Sequence, residues 1–111
     1  GFTDCAASSA GIAQALKDKN RKDITLVATA TPSQGAIYLH EGWMKAGLAW
    51  QPADAGYVAA AIALKVIKGE PIANGDDYSK PGYQDVVMDG NIIYGNAPLV
   101  FKPDNVDNYN F

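Results

Sequence analysis

The stretch Ile24–Gly69 places the tightest limit on the fold, because it switches between two kinds of secondary structure at short polar turns. Its first segment, residues 24–28, is a short apolar run with β-branched side chains, as is typical of a buried parallel strand. In chain order the predicted elements are a strand at 24–28, a helix from Pro32 to a stop at Gly42, a strand at 46–50 and a helix at 52–68. This alternation predicts an α/β fold built from parallel βαβ units.

The start of the first of these helices carries a specific signal. Thr31 can cap the helix, Pro32 suits its first position because the missing N–H costs nothing there, and Gln34 can complete a capping box. Two strands joined through a helix are parallel, and the crossover is right-handed in nearly all cases. Ligands of such sheets bind beyond the carboxyl ends of the strands, which here are residues 29–31 and Trp50–Gln51.

The flanking segments extend the same pattern on both sides. Residues 1–4 are predicted to be the end of a strand whose beginning is missing. Residues 6–19 have high helix propensity, with Ile12 and Leu16 on one face, and the predicted helix begins either at Asp4 or only at Ser8. Residues 70–83 are predicted to be a surface loop. The runs 84–88 and 91–94 flank Asp89-Gly90 and predict a β-hairpin. Residues 99–101 are predicted to form a last strand. The remainder is predicted to be a polar tail, with Tyr109 and Phe111 available to pack against the rest of the chain.

The helix at 52–68 is apolar nearly all round between Tyr57 and Leu64. Such a helix must be covered on more than one side, since each Å² of apolar surface left in water forgoes ~25 cal/mol. A chain of 111 residues offers little to cover it. We therefore expect a larger body, made either by further sequence or by an oligomer.

Composition excludes several classes of function. The net charge is −3 and the basic run at 17–22 is interrupted and followed by acids, so we exclude nucleic acid as a partner. Cys5 and His40 are the single cysteine and histidine, which rules out an internal disulfide and argues against a zinc site. Neither residue has a partner at a catalytic spacing, and no phosphate-binding loop is present. Asp76-Asp77 and Asp104 lie in loops without companion ligands and are predicted to be solvated acids. The sequence predicts no enzyme, metal or cofactor.

Trp50 and Gln51 are the strongest ligand-binding candidates in the residue pattern itself. An aromatic face beside an amide is the combination that stacks on a sugar ring and hydrogen-bonds its hydroxyls. A core position for Trp50 is the alternative, and both readings stay open. Trp43 and Tyr57 are predicted to be packing residues.

Three segments together resemble one known family. They are Ala28–Pro32 with its Thr-Pro turn, Gly47–Pro52 followed by Gly56-Tyr57, and the ending Pro98–Phe111, which is the most specific. With them the whole chain resembles the C-terminal part of a type I periplasmic sugar-binding protein, in the branch of the autoinducer-2 and rhamnose receptors of ABC transporters. That family implies two α/β lobes joined by three hinge strands, with a sugar held in the cleft.

The resemblance also implies ligand-binding positions. Thr3, Asp4 and Cys5 match a strand-end turn that touches ligand, and Trp50 matches a contacting hinge position next to Gln51. Ala30 falls where many monosaccharide receptors of this fold carry an acid, which argues against an ordinary ribose- or galactose-type site. The autoinducer-2 branch lacks that acid as well.

The resemblance assigns residues 1–50 to the C-terminal lobe, 51–96 to a hinge crossing with a helix and hairpin of the N-terminal lobe, and 97–111 to the last hinge strand and tail. The chain is thus expected to be an incomplete fold, a C-terminal fragment that alone binds sugar weakly or not at all. Its implied partners are the rest of the receptor and a transporter permease, in the periplasm or outside the cell. Two alternatives are the effector domain of a sugar-responsive transcription regulator, and a small α/β enzyme using His40 or Cys5.

Overall fold

The computed structural model describes residues 1–3 and 6–111, with Phe2 and Thr3 described through their backbone alone. The chain divides into two compact units, one made of Gly1–Ala49 with Leu99–Phe111 and the other of Trp50–Pro98. To which lobe of a receptor each unit corresponds stays a prediction. None of the described helices is long and apolar enough to cross a membrane.

The first unit is a four-stranded sheet with helices between its parallel strands. Its elements are β1 (Phe2–Thr3), α1 (Ala6–Asp18), β2 (Val27–Thr29), α2 (Pro32–His40), β3 (Ala46–Ala49), β6 (Leu99–Phe101) and a 3₁₀ turn (Val106–Asn108). The strand order is β1-β2-β3-β6, with the first three strands parallel and β6 antiparallel to β3. The predicted parallel βαβ units are therefore confirmed.

One face of this sheet carries the core. Ala28, Gly47 and Phe101 lie side by side across three strands and are all buried. The rest of the cluster comes from the helices and from the segments next to the strands, and it contains Ala13, Leu26, Ala30, Leu39, Met44 and Val106. On α1 the buried positions are Ser9 and Ala13, whereas Ile12 is exposed, so the inner face of this helix is set by its small residues.

The second unit consists of α3 (Pro52–Lys68), a long loop, and a hairpin of β4 (Val87–Asp89) and β5 (Ile92–Tyr94). Its helix ends as predicted at Gly69, which adopts the left-handed conformation with φ of 69°. The core of the unit is formed by Val58, Tyr78 and Val86, with Ala61 and Ile62 packed against them.

Three local predictions are wrong in detail. Thr31 stands at the N-cap of α2 but its side chain makes no capping bond, and its hydroxyl lies 3.3 Å from that of Ser33 instead. The hairpin turn is Gly90-Asn91, since Asp89 pairs with Ile92; Gly90, with φ of 58°, takes the first central position of the turn. Tyr57 is 54% exposed and is not a core residue.

The strand at 46–50 ends one residue early, at Ala49. The reason lies in its partner strand, because Ala49 pairs with Leu99 and the residue before Leu99 is Pro98, which has no N–H to extend the ladder. Trp50 thus lies outside the sheet.

Candidate functional site

The carboxyl ends of β1, β2 and β3 lie at one edge of the first unit, because the three strands are parallel and adjacent. The strands end at Thr3, Thr29 and Ala49. In a sheet of this kind this edge is where ligands bind. We call it the strand-end edge.

Among the predicted site residues of the first unit, the structure describes Thr3 and Ala30. Thr3 ends β1 and pairs in register with Ala28. Asp4 and Cys5, the next two predicted residues, lie outside the described residues. The predictions for all three positions therefore stay predictions.

Ala30 follows β2 directly, but its side chain is 2% exposed and belongs to the core cluster. Its N–H donates to the carbonyl oxygen of Leu48 over 3.1 Å, which ties the exit of β2 to β3. The methyl group is tightly enclosed, since a Cβ added at Gly35 would lie 3.4 Å from it and one added at Gly47 would lie 3.7 Å away. An acid could not stand here without being buried, which gives a physical reason for the alanine.

Trp50 and Gln51 follow Ala49 in the chain. The Trp50 side chain is 55% exposed, which excludes the core alternative, whereas its contact with a ligand stays a prediction. Gln51 stands at the N-cap of α3, where its carbonyl oxygen accepts from the N–H of Ala55, while its side chain makes no capping bond. The amide of Gln51 is therefore not committed to the helix.

Two features of this region were not predicted from the sequence. The hydroxyls of Thr31 and Ser33 lie 3.3 Å apart just after β2. The Ser33 N–H donates to the carbonyl oxygen of Phe111 over 3.2 Å, so the end of the chain reaches the start of α2. The second contact spans 78 positions of sequence, and no local pattern could have revealed it.

A separate polar cluster lies within the second unit. Lys65 and Asp76 form an ion pair of 2.7 Å, and Asp76 also accepts from the Ala73 N–H at 3.2 Å and from the Tyr78 hydroxyl at 3.4 Å. The hydrogen bond from Lys65 holds the pKa of Asp76 below its usual value, and the bond to Asp76 raises the pKa of Lys65. Burial raises the pKa of Tyr78. The sequence predicted a solvated acid at Asp76, whereas the structure gives it a structural role that fastens the loop to α3.

The outer side of α3 carries a large apolar surface. An open groove of about 380 Å³ runs along it, lined by Tyr57, Ala60, Ala61, Leu64, Lys65, Lys68 and Glu70. The exposed fractions of neighbouring side chains on the helix reach 83% at Ile67, and on the hairpin Val87, Ile92 and Tyr94 are each at least half exposed. The unit's own residues cover one face of α3 and leave the other open.

His40 is the remaining chemistry-bearing side chain that the structure describes. His40 is exposed, with its Nε2 atom 3.0 Å from Asp107 Oδ1. Within residues 1–3 and 6–111, no three or more His, Cys, Asp and Glu side chains come together in a way that could hold a metal ion.

Comparison with solved structures decides the fold. The chain matches LsrB from Clostridium saccharobutylicum, solved in complex with AI-2, with a TM-score of 0.75 and 21% sequence identity. The match covers 99% of this chain and 40% of that one. The chain has the fold of part of a periplasmic binding protein. No protein-family model matches its sequence.

The match to LsrB confirms the predicted fold class for essentially the full length of the chain. The similarity is one of fold, at low sequence identity, and the chain spans two-fifths of the length of that receptor. The protein it matches is a binding protein that was captured with its ligand.

Proposed function

We propose that this chain is the sugar-recognition part of a two-lobed solute receptor that serves an ABC importer. Its ligand is a sugar or sugar-like signal such as rhamnose, autoinducer-2 or a related polyol, and its role is binding and not turnover. The observation that carries the proposal is the strand-end edge of three parallel strands on a fold that matches an AI-2-bound receptor. A periplasmic or extracellular location and contact with a transporter permease follow from this assignment.

The proposed ligand contacts are residues at and after the strand ends. We assign one contact region to Thr3 at the end of β1 together with Asp4 and Cys5, which follow it in the sequence, and a second to the backbone around Ala30 after β2. Trp50 supplies an exposed ring that can stack on a sugar, and the uncommitted amide of Gln51 can bond its hydroxyls. A buried alanine at position 30 fits a ligand that needs no acid there.

The second part of the proposal is that a further body of protein, the remainder of the receptor, covers both units. In the first unit α1 and α2 contact each other and lie on the same face of the sheet, while on the opposite face Val100 is 44% exposed. Largely parallel sheets are normally covered on both faces. In the second unit the outer side of α3 is open in the same way. We assign residues 51–96 to the N-terminal lobe and 1–50 with 97–111 to the C-terminal lobe and its last hinge strand.

The test is a thermal-shift screen of the 111-residue chain and of the protein encoded by its full reading frame, with rhamnose, ribose, erythritol and autoinducer-2. Ligand at 100 times Kd stabilises a folded receptor by about 2.7 kcal/mol, so the full protein should show a clear rise in Tm with one of them. The 111-residue chain should respond more weakly. No shift of either protein with any of the four would contradict the proposal.

Variants locate the site. Trp50→Ala should abolish the shift, whereas Tyr94→Ala, which removes an aromatic ring of similar exposure from the hairpin, should leave it unchanged. Equal shifts in the two variants would show that Trp50 does not contact the ligand.

A further inference from the structure

Phe111 completes the hydrogen bonding at the start of α2. Pro32 has no N–H, and the N–H groups of Gln34 and Gly35 both donate to the carbonyl oxygen of Thr31, at 3.2 and 2.9 Å. The Ser33 N–H instead donates to the carbonyl oxygen of Phe111 at 3.2 Å. The first turn of a helix must find acceptors for its N–H groups, and here one acceptor comes from the far end of the chain.

The position of Phe111 is set by aromatic packing. The rings of Phe101, Tyr109 and Phe111 meet edge to face in all three pairs, with centroid distances of 5.0, 6.2 and 6.3 Å. Phe101 is 1% exposed and lies in β6, at the centre of the core of the first unit. The cluster therefore anchors the backbone of Phe111 to the sheet.

The same segment also reaches the other end of α2. Asp107 Oδ1 lies 3.0 Å from Nε2 of His40, the last residue of the helix. From Ser33 to His40 the helix is about 10 Å long, and the segment from Asp107 to Phe111, one step of the 3₁₀ turn followed by three longer steps, can span about 12 Å. The segment thus runs along α2 in the opposite direction and is fastened at both ends.

We propose that residues 107–111 form a latch that holds α2, and with it the residues after β2, in place for ligand binding. Phe111 is the positioning residue of this latch: its ring fixes its carbonyl oxygen, which holds Ser33 and so the turn Ala30–Thr31 at the strand-end edge. The proposal rests on the proposed function for one point, that this edge faces the ligand.

Amide hydrogen exchange of the 111-residue chain tests the latch without any ligand. Phe111→Ala should accelerate exchange of the Ser33 amide about tenfold, while the amide of Leu39 in the last turn of the same helix keeps its rate. Phe111→Leu, which retains an apolar anchor, should restore protection of Ser33. Asn110→Ala, at the exposed neighbouring position, is the matched control and should change neither amide.

Deletion of residues 110–111 is a second variant that removes the acceptor itself and should expose the Ser33 amide fully. Unchanged exchange at Ser33 in the deletion, or equal acceleration at Ser33 and Leu39 in Phe111→Ala, overturns the latch.

In the full protein, Phe111→Ala should weaken binding of the sugar that gives the thermal shift by about tenfold, which is a coupling of ordinary size. Asn110→Ala should leave the affinity unchanged. Equal affinity of wild type and Phe111→Ala overturns the positioning role. If wild type binds none of the sugars, the proposed function fails while the exchange data still decide the latch.

Discussion

Gly47 lies directly opposite Phe101 in the antiparallel pair of β3 and β6, and the Phe101 ring occupies the space where a side chain at position 47 would begin. A Cβ built on Gly47 would stand 3.3 Å from Cδ2 of that ring. The ring cannot move away easily, because Tyr109 and Phe111 pack against it. The glycine in β3 is therefore a packing requirement of the core.

Gly47→Ala should destabilise the first unit by about 1–3 kcal/mol, the usual cost of overfilling a packed core. Gly11→Ala is the control, since nothing lies within 4 Å of its added Cβ and alanine favours a helix by up to about 1 kcal/mol over glycine. Urea unfolding followed by circular dichroism measures both. A Gly47→Ala protein as stable as wild type would show that the Phe101 ring can move to make room for the added methyl group.

The two tryptophans should respond oppositely to truncation. Trp43 is 9% exposed and has the Lys22 ammonium 4.6 Å from its ring centroid, so Trp43→Ala should cost about 3–5 kcal/mol. Trp50 is 55% exposed, and Trp50→Ala should change stability by no more than about 0.5 kcal/mol. Circular dichroism in urea separates the two effects without relying on indole fluorescence. If Trp50→Ala lost as much unfolding free energy as Trp43→Ala, Trp50 would have to be a core residue.

Ala30 offers a test of why the strand-end edge lacks an acid. Ala30→Asp would bury a carboxylate in the hydrophobic core cluster and should cost about 3 kcal/mol or more. Gln34→Asp places the same acid in the exposed first turn of α2, where the helix dipole favours it by about 0.3–1 kcal/mol. The difference in urea midpoint between the two variants measures the burial. Comparable stabilities would mean that position 30 opens to solvent.

The backbone order of the chain could be predicted because its signals are local. Each signal specifies structure within a few positions of itself: the hydrophobic runs at 24–28 and 46–50 specify strands, and the turn residues around Pro32, Pro52 and Gly69 specify helix ends. The structure reproduces the corresponding strands and helices with shifts of one to three residues at some ends. The extent of β3 could not be predicted, since it depends on Pro98, a residue of its partner strand.

The details of the candidate site depend on contacts between distant positions. Ala30 is buried by Gly35 and Gly47, and Ser33 is bonded to Phe111; neither relationship leaves a mark in the neighbouring sequence. Asp76 looked solvated for the same reason, because its partner Lys65 lies 11 positions away across a loop. Tyr57 was predicted to be a packing residue because the helix around it is apolar on nearly all sides. In this chain its side chain is 54% exposed.

Two glycines with positive φ separate backbone strain from steric contact. At Gly75, with φ of 83°, an added Cβ meets one atom, Asp85 Oδ1, at 3.6 Å; at Gly82, with φ of 80°, it would clash with the Asn96 carbonyl oxygen. Gly75→Ala should therefore cost about 1–2 kcal/mol, the price of the left-handed conformation alone. Gly82→Ala should cost more than about 3 kcal/mol, because backbone must move. Equal losses of unfolding free energy in urea would mean that the backbone of Asn96 can move away from position 82 at little cost.

The Lys65–Asp76 pair predicts how the second unit responds to pH. The pKa of Asp76 is lowered in the folded state, chiefly by its hydrogen bond from Lys65. In acid the folded chain therefore binds fewer protons at this residue than the unfolded chain does. The stabilisation is complete above the ordinary aspartate value of 3.8 and is lost as the pH falls through the lower folded value. Lys65 acts at the opposite end of the scale: its raised pKa adds stability that is complete below 10.5 and is lost as the pH rises through the folded value.

Asp76→Asn should therefore lower the Tm at pH 7 and flatten its decline as the pH falls below 3.8. The control is Asp89→Asn, which removes the same charge from an exposed position at the end of β4 in the same unit. Its Tm profile should follow that of wild type. Melting curves collected at intervals of half a pH unit compare the three proteins directly. Parallel profiles for wild type and Asp76→Asn would show that the loop is held to α3 by packing of Tyr78 and Val86 and not by the ion pair.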